Sequence, residues 1–304
     1  MSRPALKNVP ASIHRRLLNK ARESGRPFNE LLQYFAMERF LYRLTRSRHA
    51  NAFILKGGLM LTVWKAPSSR PTMDIDLLGR TANDVSTLVA IFRELCEQDV
   101  EPDGLAFDAS SVTGEVITED AEYEGVRIRC RGSLGPAQVT LQIDVAFGDV
   151  IVPQPEFNDW PTILDLPAPR LRGYSRESTI AEKLEAMVRF GVVNSRLKDF
   201  FDIWFLSRQF DFDGETLSAA IRATFASRQS TIPALPVGLS TIFGEDQARA
   251  RQWREFVRRN RLGSAPEEFA AVIVSVADFL TPVTGALASG RSFSAIWRAP
   301  GPWS

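Results

Sequence analysis

Residues 73–79 read MDIDLLG, with acidic and apolar side chains in alternation. A period of two marks a β-strand, whose successive side chains point to opposite faces. The pattern puts Asp74 and Asp76 on one face of a predicted strand and Ile75 and Leu77 on the other. Any fold for this chain must therefore accommodate two neighbouring carboxylates. Half-buried and about 4 Å apart, they repel by roughly 4 kcal/mol at an intermediate effective dielectric. A divalent cation removes that penalty, and Mg²⁺ or Mn²⁺ favours hard oxygen ligands of this kind. Taken alone, an Asp-x-Asp pair also fits a solvated strand face or a turn.

A second alternating segment, residues 137–147 (AQVTLQIDVAF), sends Val139, Leu141, Ile143 and Val145 one way and Asp144 the other. If that strand lies beside the first, Asp144 completes a three-carboxylate cluster. Such a cluster can hold two ions about 3.5–4 Å apart, one activating an attacking hydroxyl and one steadying a leaving pyrophosphate. Upstream, the apolar run Phe53, Ile54, Leu55 closes on Lys56-Gly57-Gly58. Glycines at a strand end let the backbone approach a ligand, and the amides of a following helix favour phosphate; a tight turn is the plainer alternative.

Around these segments the periodicity is mostly helical. Helices are predicted over residues 10–24, closed by Gly25, and 28–47, with Leu31, Leu32, Phe35, Ala36, Phe40 and Leu41 roughly along one face. A short helix over 59–65, a loop over 66–72, a helix over 83–98 and strands over 112–118 and 125–133 follow. Pro153, Pro155, Pro161, Pro167 and Pro169 mark a linker. Beyond residue 175 helices are expected over 177–190, 196–209, 213–227, 246–260 and 266–281. The order predicts an α+β chain: N-terminal helices over 1–50, an α/β core over 51–165 and a helical C-terminal domain over 170–304.

Composition narrows the chemistry. Cys96 and Cys130 are the only cysteines and His14 and His49 the only histidines. A disulfide framework, a zinc site of paired cysteines and a Ser-His-Asp hydrolase have little to draw on. A bound metal must be held by carboxylates. No run of about 18 apolar residues stands out, so no membrane span is expected. The charged N-terminus lacks the apolar stretch of a secretory signal, and a cytoplasmic location is expected. The net charge of +1 is unevenly spread: residues 1–50 carry eleven Lys/Arg against three Glu, and residues 101–166 thirteen Asp/Glu against three Arg. Arg249, Arg251, Arg254, Arg258, Arg259 and Arg261 form a second basic stretch. Two basic surfaces suit a polyanion such as RNA; ordinary solvated helix faces are the alternative.

The combination of a strand, Gly-Gly, a short helix, a loop, Asp-Ile-Asp and a later Asp on a third strand resembles the DNA polymerase β-like nucleotidyltransferase superfamily. Here the pattern stands as Leu55-Lys56-Gly57-Gly58, then Met73-Asp74-Ile75-Asp76-Leu77, with Asp144 in the third role. Gly58 replaces the more usual Ser, and fifteen residues separate it from Asp74. The phrases FILKGGLMLTVW…RPTMDIDL and, over residues 180–206, IAEKLEAMVRFGVVNSRLKDFFDIWFL resemble the AbiEii/AbiGii toxin branch, which includes the MenT toxins. The resemblance covers roughly residues 30–210. It implies a polymerase-β-like mixed sheet followed by a helical domain. It implies a toxin with Mg²⁺- or Mn²⁺-dependent nucleotidyltransferase activity on an NTP, the tRNA 3′ end as acceptor and a cognate antitoxin as partner. Asp74, Asp76 and Asp144 become the expected metal ligands, and Lys56, Gly57, Gly58 and Arg70 the expected nucleotide contacts. Arg70 would alternatively pair with an acid.

The second phrase adds Lys183 on one predicted helix, with Asp199 and Asp202 one turn apart on the next. A lysine there would balance triphosphate charge, with Asp202 favoured over Asp199 as its orienting carboxylate. The resemblance implies that Lys183 and one of these aspartates are essential. Surface pairing, for example Lys198 with Asp202, is the alternative. Two other functions fit parts of the chain: a helix-turn-helix nucleic-acid-binding module over residues 9–40, and a catalytically degenerate scaffold.

Overall fold

The structure is a computed structural model describing residues 8–64, 70–117 and 125–304. The chain divides into two compact units: 1–65, 72–147 and 156–173 make up the first, and 66–71, 148–155 and 174–304 the second.

The first unit opens with α1 (Val9–Ser24), capped by the Asn8 side chain and ended by Gly25 in the left-handed region. The next helix, α2 (Phe28–Arg46), is buried without a break from Leu31 to Leu44. Its apolar face was expected inside; its charged face is inside as well. Asp103 makes this tolerable: it accepts from Arg39 Nε at 3.0 Å and from Arg43 Nη1 and Nη2 at 2.7 and 3.1 Å. A recognition helix must reach base edges with exposed side chains, and α2 has none over this stretch, which counts against the helix-turn-helix alternative.

Next come β1 (Phe53–Lys56), α3 (Leu59–Val63), β2 (Ile75–Gly79), α4 (Val85–Glu97), β3 (Leu105–Ile117), β4 (Gly125–Leu134), β5 (Ala137–Ala146), β6 (Glu156–Asp159) and β7 (Arg170–Gly173). Among the described residues the sheet has seven strands in the order β3-β4-β5-β2-β1-β7-β6. The β2/β5 and β1/β7 pairs are parallel and the others antiparallel. It is the expected mixed sheet with helices at both ends of the chain. The alternation in β5 appears as predicted, with Val139, Leu141, Ile143 and Val145 buried and Asp144 half-buried.

Three expectations need correction. Residues 153–169 are not simply a linker, because β6 lies inside that stretch and pairs with β7 at one edge of the sheet. The prolines flank β6 and β7 and none lies within either strand. The strand predicted over 73–79 begins only at Ile75, leaving Asp74 in the bend before it. The strand predicted at 112 starts at Leu105, with an irregularity between Asp108 and Thr113 that blurs its alternation. Residues 65–69 and 118 of the predicted elements lie outside the described residues.

The second unit is mostly helical: α5 (Arg176–Phe190), α6 (Leu197–Gln209), α7 (Gly214–Ser227), α8 (Thr241–Gly244), α9 (Gln247–Asn260) and α10 (Phe269–Ala288). A two-stranded ladder joins β8 (Phe212–Asp213) to β9 (Ile296–Trp297). Side chains cap α5, α7 and α9 through Ser175, Asp213 and Asp246. Phe200, Phe243, Trp253 and Phe269 pack ring to ring between α6, α8, α9 and α10. By length and composition α10 is apolar enough to cross a membrane, contrary to the sequence expectation, with half of the apolar window buried inside the protein. It buries Phe269, Val272, Ile273, Val276, Phe279, Leu280 and Val283, the spacing of a helix packed along one face.

Candidate active site

Strand register assembles the carboxylate cluster of the first unit. Asp76 on β2 lies directly opposite Asp144 on β5, and the adjacent pair Ile75–Ile143 is buried on the other face. With Asp74, each of the three half-buried carboxylates offers an oxygen within 4.8 Å of the others. The bend before β2 is pinned from α2: Tyr34 Oη accepts from Thr72 N at 2.9 Å, and Gln33 Nε2 donates to Met73 O at 3.0 Å and Thr140 O at 3.1 Å. Thr72 Oγ1 in turn donates to Asp74 Oδ1 at 2.9 Å. Asp74 is thus aimed by its neighbours although it is not in the strand.

Glycine at 57 is required twice. Its φ of +70° is in the left-handed region, and a Cβ there would overlap Asp76 Oδ2 and lie 2.7 Å from the Asp76 Cβ. The space a side chain would take at 57 is filled by the Asp76 carboxylate. Lys56 stands opposite Asp76 in the β1/β2 ladder, and Gly58 is buried where α3 begins. On the other side of the triad, Arg127 on β4 donates to both oxygens of Asp144, at 2.9 and 2.8 Å. An all-carboxylate donor set crowded to this distance and overlaid by a glycine suits a hard divalent cation such as Mg²⁺ or Mn²⁺.

Lys183, Asp199 and Asp202 come together in the second unit. Lys183 Nζ lies 2.8 Å from Asp199 Oδ1 and 2.7 Å from Asp202 Oδ2. Arg70 grips Asp202 through Nε and Nη2 at 2.8 and 2.9 Å, and Arg196 Nε donates to Asp199 at 2.6 Å. Both aspartates are buried, so the surface-pairing alternative does not describe Asp202. Burial alone would push Asp199 up; the charges of Lys183 and then Arg196 outweigh it and hold the carboxyl below its usual range. Asp202 is likewise held low against burial, by Arg70 and then Lys183. Burial would lower Lys183, and its two carboxylates raise it instead. The ammonium is fixed in its charged form.

The AbiEii nucleotidyl transferase toxin family, assigned to type IV toxin–antitoxin systems, matches residues 39–275 of this chain. The chain belongs to the AbiEii family. It is accordingly a nucleotidyltransferase of toxin–antitoxin systems. Among solved structures, JHP933 from Helicobacter pylori is similar over 86% of this chain and 94% of its own, at 14% identity and a TM-score of 0.46. A second H. pylori structure, described as a candidate nucleotidyltransferase, is similar over 84% of this chain and 96% of its own, at 15% identity and a TM-score of 0.45. No curated protein matches the chain.

The AbiEii match spans both clusters. Sequence reasoning passed over several residues that support them. Arg127 and Arg196 read as two more arginines in an arginine-rich chain, and Thr72 as a loop residue. Gln33 and Tyr34 read as part of an amphipathic helix. The period-two pattern of β4 puts Arg127, Arg129 and Arg131 on one face, but only pairing with β5 shows which of them meets Asp144.

Proposed function

We propose that this AbiEii-family protein transfers a nucleoside monophosphate from an NTP to a hydroxyl, with the tRNA 3′ end as acceptor and arrest of translation as the outcome. The single observation that carries the reading is the Asp76–Asp144 register, which with Asp74 gathers three carboxylates within 4.8 Å. In the reaction the acceptor oxygen bonds the α-phosphorus, the bond from that phosphorus to the β-bridging oxygen breaks, and pyrophosphate leaves. The hydroxyl proton passes to solvent. Asp74, Asp76 and Asp144 would hold Mg²⁺ or Mn²⁺, which when bound supplies positive charge to the attacking and leaving oxygens.

The chain's own groups do the positioning. The Gly57-Gly58 turn brings the end of β1 to the nucleotide beside Asp76, and Lys56 adds a cation in the row of Asp76. Lys183, oriented by Asp199 and Asp202, supplies charge to the triphosphate, with Arg70 held in place by Asp202. The exposed arginines of α9 supply tRNA backbone contacts. Membership in a type IV toxin–antitoxin family adds a cognate antitoxin as functional partner.

The test is to incubate purified protein with Mg²⁺, each α-³²P-labelled NTP in turn and total tRNA, beside a variant carrying Asp74→Ala and Asp76→Ala. Label on tRNA with the intact protein alone is expected, and the labelled NTP names the base. Label on a protein instead would replace tRNA as acceptor, and no label from folded protein would leave the degenerate scaffold.

A further inference from the structure

Across four adjacent strands the sheet carries one row of charge. Arg127 on β4 faces Asp144 on β5, Asp144 faces Asp76 on β2, and Asp76 faces Lys56 on β1. Directly paired residues point to the same face of a sheet, so the order along the row is cation, carboxylate, carboxylate, cation. Like charges directly opposite one another destabilise a ladder, and this row carries opposite charge at each end of the acidic pair. The β4 end is a full fork: Arg127 Nε and Nη2 take one Asp144 oxygen each, at 2.9 and 2.8 Å. Both side chains are less than one-fifth exposed, at 19% and 17%.

That fork engages both oxygens Asp144 could offer an ion. The fork takes one acceptor site on each oxygen, and a guanidinium does not lose its proton at any physiological pH, so an ion reaching Asp144 must share those oxygens with a fixed positive charge. A divalent ion closing on Asp144 would bring a larger charge to the place where Arg127 already supplies one.

We infer that Arg127 is a positioning residue that holds Asp144 in the ion-free site and competes with the divalent cation for it. This rests on reading the triad as an ion site, and goes further by naming the internal cation that sets its affinity. Arg127 keeps three crowded carboxylates folded together without metal, and the cost is weaker metal binding. Ion occupancy then depends on overcoming the arginine's charge as well as on filling three ligands.

The probe is Mn²⁺ alone, titrated into full-length wild type, Arg127→Met and Arg127→Lys, with free Mn²⁺ read by electron paramagnetic resonance. Thermal melts of each protein are taken in EDTA and in saturating Mn²⁺. Arg127→Met should bind Mn²⁺ about tenfold tighter than wild type or better, as expected when a close charge pair is removed. Arg127→Lys, which keeps the charge and loses the fork, should fall between them. The melting temperature of Arg127→Met should drop in EDTA and recover toward wild type in Mn²⁺. A purely structural salt bridge would lower stability equally in both conditions and leave Mn²⁺ affinity where it was; that result overturns the inference. If Arg127→Met does not fold, Arg127→Lys decides by the same criterion. Mn²⁺ binding by wild type with no change in the variants defeats this inference alone. Failure of every protein to bind Mn²⁺ defeats it together with the ion-dependent reading of the triad.

Discussion

At the scale of single residues, Gly57 lies against the Asp76 side chain with no room for a Cβ. Gly57→Ala must adopt a left-handed conformation at about 1–2 kcal/mol and displace the Asp76 carboxylate as well. The expected outcome is a folded protein with a slightly lower melting temperature and a disproportionate loss of nucleotidyl transfer. Wild-type transfer by Gly57→Ala would show that Asp76 need not sit where it does. Buried charge in the other cluster gives a second expectation. Asp199 and Asp202 titrate below their ordinary range in the folded state. Their contribution is therefore complete above the unfolded carboxylate value and is lost as pH falls through the lowered folded ones. Lys183 has the opposite sign: raised on folding, its contribution is present below the ordinary lysine value and lost as pH climbs through the raised one. Asp202→Asn leaves Arg70 and Lys183 short of a buried partner and should cost about 3–5 kcal/mol. It should also flatten the acid limb of stability against pH, as read by urea unfolding from neutral pH into acid.

At the scale of elements, α2 is the part that aims the site. Its burial from Leu31 to Leu44 lets Gln33 reach two carbonyls, one before β2 and one in β5. Gln33→Leu removes the donor to both carbonyls in a part-buried place and should destabilise by about 1 kcal/mol. Loosening the Asp74 lead-in should lower transfer further than stability explains, which is checked by assaying well below the variant's melting temperature. Elements were also where sequence periodicity worked best and failed most visibly. It identified α1, α2, β5 and the longer helices of the second unit from their apolar repeats, and missed the four-residue α8. It missed β6 and shortened β3, where four residues or an irregular register leave too little repeat to detect. It did not show that the charged residues of α2 are buried too, because charge suggests solvent unless a partner 64 positions away in sequence, here Asp103 for Arg39, is known.

At the scale of the whole molecule, function depends on an acceptor that neither cluster explains alone. Arg254 and Arg258 on α9 are 55% and 79% exposed and pair with Glu268 and Glu255 at the surface. Exposed pairs of this kind contribute little stability, so Arg254→Glu, Arg258→Glu and Arg259→Glu combined should leave folding nearly unchanged. The same triple reversal should weaken tRNA binding and flatten its dependence on salt, measured as affinity across a salt series. Unchanged affinity would remove α9 from the RNA surface.

The sequence by itself determined what is local. It placed Asp74 and Asp76 together, put glycines at the end of β1, set Asp144 against its apolar neighbours and made the second half helical. Each of these follows from side-chain period or from what a glycine permits, and neither depends on distant residues. Only the tertiary structure decided that β5 lies beside β2 with Asp144 opposite Asp76, that Arg127 forks onto Asp144, and that Lys183 serves two aspartates at once. Strand neighbours and buried charge partners are selected by the packing of the whole core, and a repeat of two or 3.6 residues does not encode which distant segment will arrive alongside.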